Sequence, residues 1–280
     1  MIENYAQELK FHIPEELRQY VFAVIKGETE SAVQTTFPIH PTGFPLLVSV
    51  YNDAPIVRIH GERSHIAPRL SVNGQIDKDD IALEINGKFG QVALVLSPTA
   101  TYYLFHKPGI HFSNLCQSFD EVTPTSSQGL VGELAHCKLP EEHLPILLEI
   151  VRHLSKTRLP PIEWLDTSIT RILSKDGKVT QTELAEQSGV GVRHFRRKFK
   201  EVVGIGPKYF CKIIQLNTIF ERLKSAEQDQ LHQLALDCGY YDQAHFINDF
   251  NRLIGSSPTH FLKGKHAFVQ SYLGRKEFRT

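Results

Sequence analysis

The sequence predicts an α+β chain of two domains: a β-rich N-terminal domain of cupin-like or sandwich form, and an all-α C-terminal domain with two helix-turn-helix units joined by a long helix. Three observations carry this expectation. The 280 residues are enough for two hydrophobic cores at roughly 150 residues per domain. Short apolar runs broken by turn clusters fill residues 1-135, and a repeat with helical spacing occupies the C-terminal part.

Composition narrows the class. Hydrophobic residues are 41% and charged residues 22%, which excludes disordered, collagen-like and coiled-coil readings. The longest apolar runs, such as Val92 to Leu96, fall well short of the ~18 residues a membrane helix needs. Met1 to Asn4 lack a basic-then-apolar leader, so a cytoplasmic protein with no membrane partner is expected. Cys116, Cys137, Cys211 and Cys238 form no CxxC pair and are expected to be free, buried thiols. The net charge of zero conceals a division. Residues 1-160 carry 13 Lys and Arg against 18 Asp and Glu, and residues 161-280 carry 18 against 13, so only the second part is expected to meet a polyanion.

Along the N-terminal part, a helix is expected near Leu17-Ile25. Strands follow at Phe44 to Tyr51 and Ile56 to His60, separated by the turn cluster Asn52-Asp53-Ala54-Pro55, which predicts a hairpin. Ile81-Ile85 and Gly90-Leu96 are further strands, and short strands of this kind suggest a sandwich or cupin-like barrel. His40, His60 and His65 lie near the hairpin, but a spacing of i, i+5 suits metal ligation on neither strand nor helix. No metal and no cofactor are expected. Tyr102 to His106, with His111 and Phe112, is either the lining of an effector pocket or core. Beyond Pro140, the residues Leu144, Ile146, Leu147, Ile150, Val151 and Leu154 give an amphipathic helix, either a dimer seam or packed on its own domain. Arg158-Leu159-Pro160-Pro161 reads as the linker. No GxSxG, GxGxxG or GxxxxGKS/T motif occurs, and no cysteine has an evident partner base, so the chain is not expected to be an enzyme.

The C-terminal part repeats itself. Leu184, Ala185 and Gly189 recur as Leu234, Ala235 and Gly239; Phe195, Phe199, Gly204, Pro207 and Phe210 recur as Phe246, Phe250, Gly255, Pro258 and Phe261. In the first copy, Thr180 with Glu183 makes a capping box for a short helix that Gly189 ends in the left-handed conformation. A second helix starts at about Val192 with Phe195 and Phe199 inward. Short helix, glycine turn and crossing helix make a helix-turn-helix. In the second copy Gln243 to Leu253 is the crossing helix, and Pro207 opens the connector that carries Phe210, Ile213, Ile214, Leu216, Phe220 and Leu223.

With its phenylalanines fixed in the core, the first crossing helix presents Arg193, Arg196, Arg197 and Lys200 at i, i+3, i+4 and i+7, with His194 and Lys198 beside them. Like charges at that spacing repel unless an anion lies opposite, and arginine pairs bidentately with guanine in the major groove. The second crossing helix turns Gln243, Ala244, His245 and Asn248 outward, with Tyr240, Tyr241 and Arg252, and is less basic. Lys198, Lys200 and Lys208 are the expected phosphate contacts. The rival reading is a cupin-like small-molecule-binding or metal-dependent enzyme with an accessory helical domain; an adapter binding proteins is a third.

The run Ala235-Leu236-Asp237-Cys238-Gly239-Tyr240-Tyr241-Asp242-Gln243-Ala244-His245-Phe246, continued by Phe250, Gly255, Ser257-Pro258 and Phe261, resembles the signature segment of AraC/XylS transcriptional regulators. The resemblance covers about 165-264. It implies a bacterial, sequence-specific transcription factor whose N-terminal domain binds an effector, dimerises or both. By position it places base reading on Arg193, Arg196 and Arg197, and on Gln243, Ala244, His245, Ile247 and Asn248. Asn248 departs from the basic residue many members carry there. The expected organisation is 1-160 regulatory, 161-264 DNA-binding and 265-280 a basic tail. The expected partners are double-stranded DNA, with RNA polymerase, a small-molecule effector at the N-terminal domain and a second copy of the chain as candidates.

Overall fold

A computed structural model describes residues 7–8, 12–59, 64–77, 81–123, 128–223 and 231–263. Among the described residues ten strands form two antiparallel sheets. The larger has the order β1 (Gln7–Glu8), β2 (Val21–Glu28), β9 (Phe89–Leu96), β4 (Leu46–Asn52), β7 (Leu70–Asn73) and β10 (Cys116–Ser118). The smaller runs β3 (Val33–Pro38), β8 (Ile81–Gly87), β5 (Ile56–Ile59) and β6 (His65–Ile66).

Side-chain alternation explains why the large sheet is covered on both faces. On β9, Phe89, Ala93 and Val95 join the core shared with the small sheet, whereas Val92, Leu94 and Leu96 join a second core beneath the helices. β4 divides likewise, with Val48 and Val50 on one side and Leu47 and Tyr51 on the other. The covering helices are α1 (Ala100–Phe105), α2 (Phe119–Val122), α3 (Gln128–Leu134) and α4 (Pro140–Ser155). The apolar stripe of α4, including Leu144, Leu147, Ile150, Val151 and Leu154, is spent in that second core, which settles the choice between seam and packing. Tyr103, Leu104, Phe105 and Phe112 are buried as well, whereas Tyr102 is half-buried and His106 and His111 are exposed.

Three expectations fail here. Leu17-Ile25 is not a helix: a 3-10 turn at Glu15–Leu17 leads into β2. The run Val21-Phe22-Ala23-Val24-Ile25 has β-branched residues and a partner strand, β9, with which it pairs antiparallel apart from an irregularity at Phe22. The hairpin between Phe44-Tyr51 and Ile56-His60 is absent as well, because β4 pairs with β7 and β9 while β5 pairs with β6 and β8. The turn at Asn52, which takes φ 61°, carries the chain from one sheet to the other instead of folding it back. Third, Cys116 and Cys137 are half-buried, although Cys211 and Cys238 are buried; all four are free thiols. His60 and the tail 265-280 lie outside the described residues.

The C-terminal part is all helix: α5 (Glu163–Ser174), α6 (Gln181–Gln187), α7 (Val192–Val203), α8 (Pro207–Leu223), α9 (Leu231–Asp237), α10 (Gln243–Ile254) and α11 (Pro258–Lys263). Its core, with Phe195, Phe199, Phe210, Phe220, Phe246, Phe250 and Phe261 fully buried, is continuous with the core between the sheets. Polar contacts fasten the same junction. Asn217 Nδ2 on α8 donates to the Thr42 carbonyl at 2.8 Å, Ser113 Oγ to the Gly204 carbonyl at 3.2 Å, and Tyr103 OH to Asp166 Oδ2 at 2.9 Å. Among the described residues, no helix is long and apolar enough to cross a membrane and no three His, Cys, Asp or Glu side chains gather as metal ligands.

Candidate nucleic-acid interface

The first unit is built as its residues dictate. Thr180 Oγ1 accepts from the Glu183 amide at 3.2 Å while the Glu183 carboxylate accepts from the Thr180 amide at 2.7 Å, a reciprocal cap on α6. The Thr180 amide and hydroxyl, both donating to the Glu183 carboxylate, hold that carboxyl below its ordinary range. Gly189 takes φ +66°, the left-handed conformation the turn requires, and the Val190 amide then donates back to the Ala185 carbonyl at 3.1 Å. Ala185 is fully buried where α7 crosses.

On α7, Phe195 and Phe199 point into the core, and Trp164 of α5 packs on Phe195 with ring centroids 5.7 Å apart. That fixes the rotation of the helix. Arg193, His194, Arg196, Arg197 and Lys200 are all exposed as a consequence. Arg196 Nε donates to Gln181 Oε1 at 2.5 Å, and Arg197 Nη2 lies 3.3 Å from His194 Nδ1. Among the described residues, Arg193 and Lys200 have no hydrogen-bond partner. Pro108 and the exposed Ile110 of the N-terminal domain form the far wall of an open groove along this stripe. Sequence patterning gave no sign of that wall, since its proximity depends on Gly109 packing on the end of α7.

Lys198 behaves differently from its neighbours. Its ammonium donates to Glu201 at 2.7 Å and to the Tyr102 hydroxyl at 3.3 Å, and it sits 5.1 Å from the Tyr102 ring centroid. It therefore faces the N-terminal domain and not the groove, which corrects its expected role at phosphate. Lys208, at the start of α8, is exposed.

The second unit repeats the plan. Gly239 takes φ +91°, Asp242 Oδ1 caps α10 by accepting from the His245 amide at 2.7 Å, and Phe246 and Phe250 are buried. Gln243, Ala244, His245 and Asn248 are exposed, Ile247 is half-buried, and Tyr241 is 88% exposed. Tyr240 is not outward as expected: at 3% exposure it packs on Phe246, and burial pushes its phenol pKa up. His245 is engaged, with Nε2 3.2 Å from Lys212 Nζ and 3.4 Å from Asp249 Oδ2. Lys212 itself bonds Asp249 at 3.1 Å and lies 4.3 Å from the Tyr240 ring centroid. The unit thus balances charge internally where the first exposes a stripe of cations.

Comparison with known proteins agrees with this geometry. Residues 184–264 match the family model described as "Helix-turn-helix domain". Curated relatives include the HTH-type transcriptional activator RhaS of Escherichia fergusonii, 25% identical over 109 residues, which are 39% of this chain and 37% of that protein. An "Uncharacterized HTH-type transcriptional regulator" of Haemophilus influenzae is 30% identical over 100 residues, 35% of this chain and 33% of that one. The probable transcriptional regulator LumQ of Photobacterium leiognathi is 31% identical over 97 residues, 35% of this chain and 38% of that one. The chain thus matches little more than a third of the length of these relatives. Among solved structures, ToxT from Vibrio cholerae O395 aligns with a TM-score of 0.48 at 10% identity, over 88% of this chain and 98% of that one. Residues 184–264 are a helix-turn-helix domain.

Proposed function

We propose that this chain is a sequence-specific DNA-binding transcriptional regulator of the AraC/XylS type, acting in the cytoplasm. One observation supports it above the rest: Arg193, Arg196, Arg197 and Lys200 stand exposed along one face of α7 while Phe195 and Phe199, on the other, are fully buried. A helix so fixed offers guanidinium forks to base edges, and only an opposing polyanion relieves the mutual repulsion of its charges.

In this reading Arg193, Arg196 and Arg197 contact bases, with His194 beside them, and Lys200 and Lys208 contact phosphates. Gln243, Ala244, His245 and Asn248 form the second, weaker reading surface. Gln243 and Asn248 suit adenine edges, and His245 suits phosphate because Lys212 and Asp249 already hold its ring. The N-terminal domain governs the readers. Between its sheets an apolar cavity of ≈ 130 Å³, lined by Phe44, Val48, Val57 and Leu83 with Gln75 among them, is the place for a small effector. RNA polymerase and a second copy of the chain are further partners in this reading. Residues 1-160 regulate and 161-264 bind DNA.

Selection of bound sequences from random duplex DNA by the full chain tests the proposal. A recovered consensus, with binding that weakens steeply as salt rises, is expected. Retention of every sequence alike, or of none, would overturn it.

A further inference from the structure

A second cavity lies where the N-terminal domain meets α5, apart from both the space between the sheets and the face of α7. It measures ≈ 340 Å³, within the range of small-molecule sites. Its walls come from β2, from the segment before α1, from the 158–161 connection and from α5.

Its polar groups are arranged by charge. Asp166 lies inside, with Oδ1 accepting from Thr99 Oγ1 at 3.1 Å and Oδ2 from Tyr103 OH at 2.9 Å. Each carboxylate oxygen keeps a second lone pair. Arg158 stands at the rim and is exposed. The Arg158 guanidinium is within hydrogen-bonding reach of the Tyr20 hydroxyl. Tyr20 is 3% exposed and Ser97 5% exposed, and among the described residues the Ser97 hydroxyl has no hydrogen-bond partner. An orphaned buried hydroxyl lining a cavity is unusual, because buried polar atoms are nearly always paired. Phe22 and Leu173 supply an apolar floor.

We propose that this cleft binds a free α-amino acid with an apolar side chain. The ammonium group bonds Asp166, the carboxylate takes Arg158 together with the hydroxyl donors of Tyr20 and Ser97, and the side chain lies against Phe22 and Leu173. A carboxylic acid lacking the amine leaves Asp166 without a cation, and an amide lacking the acid leaves Arg158 without an anion. Because the walls belong to both parts of the chain, the ligand bridges them. Binding itself does not depend on the DNA-reading proposal and is measured without DNA.

Calorimetric titration of the full chain with L-leucine, L-isoleucine, L-methionine and L-phenylalanine is the test. At least one is expected to bind saturably with Kd below about 1 mM, and its deaminated acid and its amide are each expected to bind at least roughly tenfold more weakly. Arg158→Gln, on the exposed connection, and Asp166→Asn are each expected to lose at least about tenfold in affinity, and the Arg158 variant decides alone if the Asp166 variant does not fold. No heat from any of the four at about 10 mM, equal binding of the stripped analogues, or wild-type affinity in Arg158→Gln would overturn the proposal.

Discussion

Asn217 Nδ2 donates to the Thr42 carbonyl at 2.8 Å, tying the helix that joins the two helix-turn-helix units to a loop of the N-terminal domain. Both residues are buried, and the loop continues through Gly43, whose position leaves only 3.2 Å between a built Cβ and the Phe210 and Ile214 side chains. The Gln75 amide holds the same loop by donating to the Gly43 carbonyl at 2.8 Å, and Thr42, Phe44 and Gln75 border the cavity between the sheets. Replacing Asn217 by Ala strands a buried carbonyl. The variant is expected to lose about 1–3 kcal/mol in chemical denaturation, whereas a surface change such as Lys208→Ala should stay within about 0.5 kcal/mol.

Gly109 is the corresponding contact at α7. A Cβ built there would lie 2.3 Å from the Val202 carbonyl oxygen and 2.7 Å from the Gly204 amide nitrogen. Gly109→Ala must therefore push its loop, and Ile110 with it, away from the recognition helix. The expected cost is about 1–3 kcal/mol, the range for overpacking, with increased amide exchange at the C-terminal end of α7.

His143 gives the fold a dependence on pH. The ring is 1% exposed, Nδ1 lies 2.9 Å from Ser49 Oγ, and Tyr51 stacks on it at 5.0 Å. Burial lowers its pKa below the ordinary value of 6.5. The folded state then holds fewer protons on this residue than the unfolded state. Stability is full above about pH 6.5 and falls as pH drops from there through the lowered folded value, by at most roughly 1.4 kcal/mol per unit. His143→Gln is expected to flatten the decline in urea midpoint between about pH 6.5 and 5. An unchanged slope would remove His143 from the explanation.

The cap on α6 is worth a measurement of its own. Thr180→Ala removes the side-chain acceptor of the Glu183 amide and is expected to cost about 1 kcal/mol, and Thr180→Ser to cost much less. Because α6 braces α7, the alanine variant should also bind DNA more weakly at elevated temperature, and the serine variant should not.

Legibility in the sequence followed how local the determining physics is. Thr180, Gly189, Phe195 and Phe199 act within a few residues of one another, so the capping box, the left-handed turn and the buried stripe could all be read directly. Repetition of the pattern at Gly239, Phe246 and Phe250 made the reading secure. Val21 to Ile25 reads as a helix and forms a strand, because nothing in the segment distinguishes the two until β9 supplies its partner. The same holds for Asn52 to Pro55, a turn by composition that connects two sheets. Tyr240 was misassigned since helical periodicity does not extend into the turn that precedes Asp242. Lys198 was misassigned because its partners, Tyr102 and Glu201, include one 96 residues away. Pro108 and Ile110 beside α7, and the cleft around Asp166, arise where two parts of the chain meet and leave no trace in either alone.

The central claim is that the exposed arginines of α7 read bases and its lysine holds the backbone. Quantitative retardation of a selected duplex and its scrambled counterpart, by the full chain and by Arg196→Ala and Lys200→Ala across a range of salt, tests it most directly. Arg196→Ala is expected to lose about 1–3 kcal/mol on the selected duplex and little on the scrambled one; Lys200→Ala should weaken both equally and reduce the salt slope by about one. Equal losses on both duplexes for Arg196→Ala would contradict the assignment.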